Sequence, residues 1–196
     1  MPIAIAASTI AQQAFREMEV APIGSFADGS PQAAAASEQY PDALNAMLEA
    51  HDWSFASKIV QLPQISGTEE TDPDLIYRYK LPSDLVALRR VYPKGLKFRR
   101  DGNEIRCTQS GGLTVRYTWS ITNEALLPST FKRVVSLELA IRLAPQYVSS
   151  RTKRADLKND LIAALDACWT SHKYDASHDR LDDLPEQSDW ACEATR

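Results

Sequence analysis

Between Ser8 and Glu19 the apolar residues Ile10, Ala14, Phe15 and Met18 recur at helical spacing, with Gln12, Gln13, Arg16 and Glu17 between them. That pattern predicts a first helix, broken by Pro22-Ile23-Gly24. A second start signal follows in Asp28-Gly29-Ser30-Pro31: Ser30 can cap free backbone N–H groups, and Pro31 gives up an N–H that has no helical partner. The helix should run from Pro31 to about His51. Pro41 interrupts it as a kink in one helix, since the periodicity continues through it, or else as the break between two shorter ones. It ends on Trp53 and Phe55.

From Ser54 the period changes to two. Tyr77, Tyr79 and Leu81 alternate with Arg78 and Lys80, Leu96 and Phe98 with Lys97 and Arg99, and Ile105 and Cys107 with Glu104 and Arg106. Leu113, Val115, Tyr117 and Trp119 form a further run, and Asp101-Gly102 and Gly111-Gly112 supply tight-turn signals. The pattern predicts a small antiparallel meander with one apolar and one wet face, which places Phe98 inside. Helices then return. Pro128 opens one carrying Phe131, Val134, Val135, Leu139 and Leu143, with Glu138 and Arg142 spaced for an i,i+4 ion pair and Pro145 near its end. Leu127, at the expected cap, is a poor capping residue. Arg151 to about His172 predicts a last long helix with a stripe of Leu157, Leu161, Ala164, Leu165 and Cys168.

The fold class expected is therefore α+β: a four-helix core, two helices from each end of the chain, with an inserted antiparallel sheet and an extended C-terminal tail. In residues, 1–53 and 128–174 make the helical part, 54–127 the insert and 175–196 the tail. A chain of 196 residues with 44% hydrophobic content is enough for a real core.

Charge changes the picture at one end. The net charge is −4, but from Asp175 onward seven acidic residues face two arginines, a net −5, which leaves about +1 on residues 1–174. An acidic segment with isolated Leu181, Leu184 and Trp190 suits an arm that orders on a partner. Arg89, Arg90, Lys94, Lys97, Arg99, Arg100 and Arg106 cluster in the insert instead. They read as a solvated sheet face guarding an edge, as a surface for an acidic partner or neighbouring subunit, or, with least weight, as a contact for passing DNA.

Candidate chemistry is sparse. Cys107, Cys168 and Cys192 are odd in number and far apart, which favours free thiols and a reducing, cytoplasmic setting. The opening Met1–Ser8 lacks the basic start of a secretion signal, and no apolar run approaches the ~20 residues of a membrane span. His51 suits the negative end of a helix dipole. His172 and His178 near Asp175 and Asp179 lack a completed ligand spacing, and Asp72 and Asp74 around Pro73 read as loop chemistry. Neither a nucleophile elbow nor a phosphate-cradling or dinucleotide loop is present. No catalytic residue, cofactor or metal is expected.

The run Tyr40-Pro41 … Met47-Leu48 … His51-Asp52-Trp53-Ser54-Phe55-Ala56 resembles the head-to-tail connector, or adaptor, proteins of tailed bacteriophages and gene transfer agents, a circle that includes the tail tubular proteins. Tyr77-Arg78-Tyr79-Lys80-Leu81-Pro82-Ser83-Asp84-Leu85 looks like the family's tyrosine-rich strand. Leu113-Thr114-Val115-Arg116-Tyr117 resembles its last strand, and Pro128 with Phe131, then Leu137–Leu143, its third helix. The resemblance spans roughly residues 8–175. It implies a virion protein without catalysis, made in the host cytoplasm. Such proteins form a homo-oligomeric ring, dodecameric in the family, that binds the portal and a downstream stopper or tail protein and lets DNA pass, with no membrane involved. It also implies that the tail (Leu181, Leu184, Trp190) reaches the portal. Arg89, Arg90, Lys94, Lys97, Arg99 and Arg100 are candidates for a subunit or tail-component interface, and Trp53, Phe55, Tyr79, Trp119 and Phe131 for core anchors. The alternatives are a stopper or tail-terminating ring component, and a nucleic-acid-binding module that uses the basic sheet face.

Overall fold

The structure, a computed structural model, describes residues 8–65, 72 and 74–175. The tail anchors Leu181, Leu184 and Trp190, together with His178 and Cys192, lie outside the described residues. The chain is mixed α and β. Helices α1 (Thr9–Glu17) and α2 (Pro31–Ala50) come first, then strands β1 (Ser57–Leu62), β2 (Tyr77–Lys80), β3 (Leu85–Tyr92), β4 (Phe98–Asp101), β5 (Glu104–Cys107) and β6 (Leu113–Trp119). Helices α3 (Ser129–Tyr147) and α4 (Arg151–Asp175) close the order.

Capping sets the helix starts. Ser8 accepts a hydrogen bond from the Ala11 amide and Ser30 from the Ala33 amide, each tying down an otherwise unpaired N–H. Helix α2 continues through Pro41 as one element. The start of α3 differs from expectation: Pro128 is its cap residue and makes no side-chain cap, while Leu127 ends a short 3₁₀ turn and is buried. The Arg142–Glu138 pair forms as expected, at 2.8 Å.

Helix α3 is the hub of the helical layer. It packs against α1, α2 and α4, and buried positions run all round it: Phe131, Val134, Val135, Leu137, Leu139, Ala140, Leu143 and Ala144. A helix apolar on every side belongs in the middle of a layer. Helix α4 covers it with a narrow stripe in which Leu157 and Cys168 are buried and Leu161, Ala164 and Leu165 half-buried. Glu124 ties this layer together at a distance. Its carboxylate accepts from the Tyr40 hydroxyl at 2.8 Å, the Thr9 hydroxyl at 3.0 Å, the Thr9 amide at 3.2 Å and the Ser8 hydroxyl. A carboxylate at the first turn of α1 also suits the positive end of that helix. Burial, followed by the neighbouring Glu124 charge, pushes the Tyr40 hydroxyl pKa far up, so it remains a donor.

The single meander expected from the alternation is replaced by two three-stranded antiparallel sheets, β1-β6-β3 and β2-β5-β4. They share one apolar core of Leu62, Tyr79, Leu81, Val91, Ile105, Cys107, Leu113, Val115 and Tyr117. After β1 the chain carries on beside β2, through the Gln64–Tyr79 bridge and the bond from the Ile65 amide to the Arg78 carbonyl at 2.8 Å. Strand β3 escapes the period-two pattern for a physical reason. Val86 packs towards the helices while Leu85 and Leu88 pack into the sheet core, and its register slips twice against β6. A strand covered on both faces does not alternate.

Phe98 is the clearest correction inside the insert. It pairs opposite Cys107, so its side is the core side, yet it is 45% exposed. Strand β4 is the outer strand of its sheet and projects past the core that Cys107 and Ile105 fill. The alternation fixes which face a residue takes. It does not say how far the cover extends.

Candidate interaction surface

The junction between helices and sheets is built around Trp53. Its ring is fully buried, its indole N–H donates to the Met47 carbonyl at 2.8 Å, and Phe131, His51, His172 and Phe55 surround it with ring centroids 5.0–5.7 Å away. The other expected anchors are distributed through both cores. Phe131 is buried in the helical core, and Tyr79 is buried in the sheet core with its hydroxyl on the Gln109 carbonyl at 2.9 Å. Phe55 and Trp119 are half-buried, and Trp119 touches both cores with the Lys58 ammonium 3.8 Å above its ring.

A cleft of about 120 Å³ beside Trp53 brings together Ser54, Thr130, Cys168 and His172. A thiol one helical turn from an imidazole invites a catalytic reading, but the geometry does not activate it. Burial pushes the Cys168 thiol above its ordinary value, and Sγ faces the Thr130 hydroxyl at 3.7 Å. The His172 Nε2 accepts the Ser54 amide proton at 2.7 Å, with the Ser54 hydroxyl 2.9 Å away. A neutral thiol and an imidazole whose lone pair is occupied make a poor nucleophile and base. The pair instead fastens the end of α4 to the junction. Among the described residues no group of His, Cys, Asp and Glu could hold a metal ion. Nor is any helix among them long and apolar enough to cross a membrane.

The basic cluster of the insert divides once its partners are known. Arg89 caps a helix. Its guanidinium donates to the carbonyls of Leu48 (2.9 Å), Glu49 (3.1 Å) and His51 (2.6 Å), and its Nε to the Thr118 hydroxyl at 2.8 Å. This is the positive charge at the C-terminal end of α2. His51 stands at the same end of α2 as its cap residue, with its ring against Trp53, Trp169 and His172. Arg99 bridges Asp101 and Asp72, both at 2.8 Å, and the buried Arg106 meets Asp101 at 3.1 Å. Asp72 also accepts the Asp74 amide at 2.9 Å, the loop role expected of it.

What is left facing solvent is Lys94, Lys97 and Arg100, the last with Nε on the Gly102 carbonyl at 3.1 Å, around the exposed Phe98 ring. Shallow grooves of about 390 and 680 Å³ run on either side of that ring; Arg90 and Lys94 line the first, and Lys97 and Arg99, with Asp74, the second. An apolar ring rimmed by cations fits an acidic protein surface with an apolar contact. Alternation supplied the cations. The exposure of Phe98 could not be read from it, because it depends on where the core ends.

The ion pairs of this hairpin make a pH prediction. The Arg99 hydrogen bond holds the Asp101 carboxyl below its ordinary value, Arg78 does the same for Glu104, and the Asp74 and Leu75 amides and then Arg99 for Asp72. Each binds its proton less tightly folded than unfolded. The pairs therefore contribute fully above the ordinary carboxylate range of about pH 4 and are lost as pH falls below it. On acidification the amides of β4 and β5 are expected to lose exchange protection before those of α3. Simultaneous loss in both would contradict this.

No protein-family model matches the chain, and no curated protein matches it.

Proposed function

We propose that this chain is the ring-forming adaptor of a tailed-phage or gene-transfer-agent particle, placed between portal and tail, with no catalytic role. The observation that carries the reading is architectural. A helical layer assembled from both ends of the chain holds a two-sheet insert, and the join is the Trp53–Phe131 contact at 5.1 Å. That is the layout the motif resemblance calls for. A nearly neutral body supports it further, since DNA passing through a channel must slide and not adhere. In this reading the Phe98 surface with Lys94, Lys97 and Arg100 meets a neighbouring subunit or the next tail component. A ring of this kind needs two different complementary faces on each copy. The partners are other copies of the chain, the portal and a downstream tail protein, and the location is the head–tail junction.

The tail supplies the test. Removing residues 176–196 is expected to leave the body folded, with cooperative urea unfolding retained, and to abolish attachment to portal-bearing heads. A truncated protein that still joins filled heads would refute the docking role of Leu181, Leu184 and Trp190.

A further inference from the structure

The largest apolar exposure on the helical layer lies along α4. Ile162 is 67% and Trp169 36% exposed, and seven-residue spacing puts both on one side of the helix. Towards the start of α4 that side opens into a groove of about 480 Å³ against α3, floored by Ile141, Ala144, Pro145 and Ala155 and rimmed by Arg151, Arg154 and Lys158. No carboxylate among the described residues pairs with these three cations. At 100° per residue Asp156 and Asp160 fall on the opposite side of α4, and Asp166 lies at the margin of the stripe, clear of the groove. An apolar floor beneath a triple cationic rim selects an extended acidic peptide with bulky apolar side chains.

The chain carries such a peptide directly after α4. We infer that its own C-terminal segment, residues 176–196, folds back along α4 and seats Trp190 in the groove, with Glu186, Asp189 and Glu193 against Arg151, Arg154 and Lys158.

Reach decides which anchor goes where. Ile162 and Ala155 lie ~20 and ~30 Å back from Asp175 along the helix at 1.5 Å per residue. An extended chain covers ~3.3 Å per residue, so Leu181 reaches ~20 Å, Leu184 ~30 Å and Trp190 ~50 Å. Leu184 has the length to reverse and meet Ile162, while Trp190 arrives at the groove with slack. Tethering gives the segment a millimolar effective concentration, so a weak site is filled within one copy. The inference does not depend on the adaptor reading. If both hold, the segment must leave the groove before it can reach a portal.

Cys192 makes this testable in the full chain, because Cys107 and Cys168 are buried and a nitroxide reagent reaches Cys192 first. In isotope-labelled protein the spin label is expected to bleach most of the amide intensity of Ala144, Ala155 and Lys158. Intensity should return at high salt, in the triple Arg151→Glu, Arg154→Glu, Lys158→Glu variant, and in Trp190→Ala, which keeps every charge. A groove left unbleached, or bleaching indifferent to both variants, overturns the inference. Bleaching seen only between differently labelled copies gives the groove to a neighbour's tail and overturns it too. So does a duplex oligonucleotide that shifts these amides where the label has no effect, since the cations then serve a phosphate backbone.

Discussion

Trp53→Ala is expected to lower the unfolding free energy by ~3–5 kcal/mol, the range for emptying a large aromatic site in a core that cannot collapse. The site is held open from several sides. Phe131 comes from α3, His172 from α4 and Phe55 from the chain entering the sheets, so no single element can move in to fill the space. The substitution also strands the Met47 carbonyl, which receives the indole N–H near the end of α2. Trp53→Phe keeps most of the packing and loses that bond, so about 1–2 kcal/mol is expected. Urea titration checks both, and an unchanged midpoint for the alanine variant would refute the role of Trp53 as the anchor of the junction.

Arg89→Ala has the next largest expected effect, about 2–3 kcal/mol. The guanidinium satisfies three carbonyls at the end of α2 and the Thr118 hydroxyl, and a hydrogen bond to a charged group contributes ~1.5–3 kcal/mol, reduced here because water reaches part of the group. Arg89→Lys should recover part of the loss, because the three carbonyls converge on one nitrogen, Nη2, where an ammonium can serve them, while the Thr118 hydroxyl loses its Nε donor. Arg100→Ala serves as the control and should stay within ~0.5 kcal/mol. Similar midpoints for the Arg89 and Arg100 variants would contradict the capping role. The contrast has a functional use as well: loss of partner binding in an Arg89 variant reports on folding, whereas loss in a Lys94 or Lys97 variant reports on the surface.

The contrast also marks where sequence reading succeeds. Ser30-Pro31 and Glu138–Arg142 are local devices, complete within a few residues, and the structure contains them as expected. Asp101-Gly102 works the same way: Gly102 takes φ +59° and Asp101 pairs with Glu104 across the turn. Arg89 reaches carbonyls about forty positions away, and Glu124 gathers Ser8, Thr9 and Tyr40 from across the chain. Such contacts leave no periodicity behind. Strand β3 goes unseen for a related reason, because half-burial at nearly every position erases the alternation that would reveal it. Of the candidate surface, the cations were legible and their division into cap, ion pairs and free charge was not, since that depends on partners supplied by other elements.

The adaptor reading is tested most directly by electron microscopy of portal complexes incubated with the purified protein. It predicts a closed ring of copies coaxial with the portal, extending its channel, with the two-sheet insert on one side of each subunit. A portal left bare would contradict it, especially if the free protein bound duplex DNA with an affinity falling steeply as salt rises.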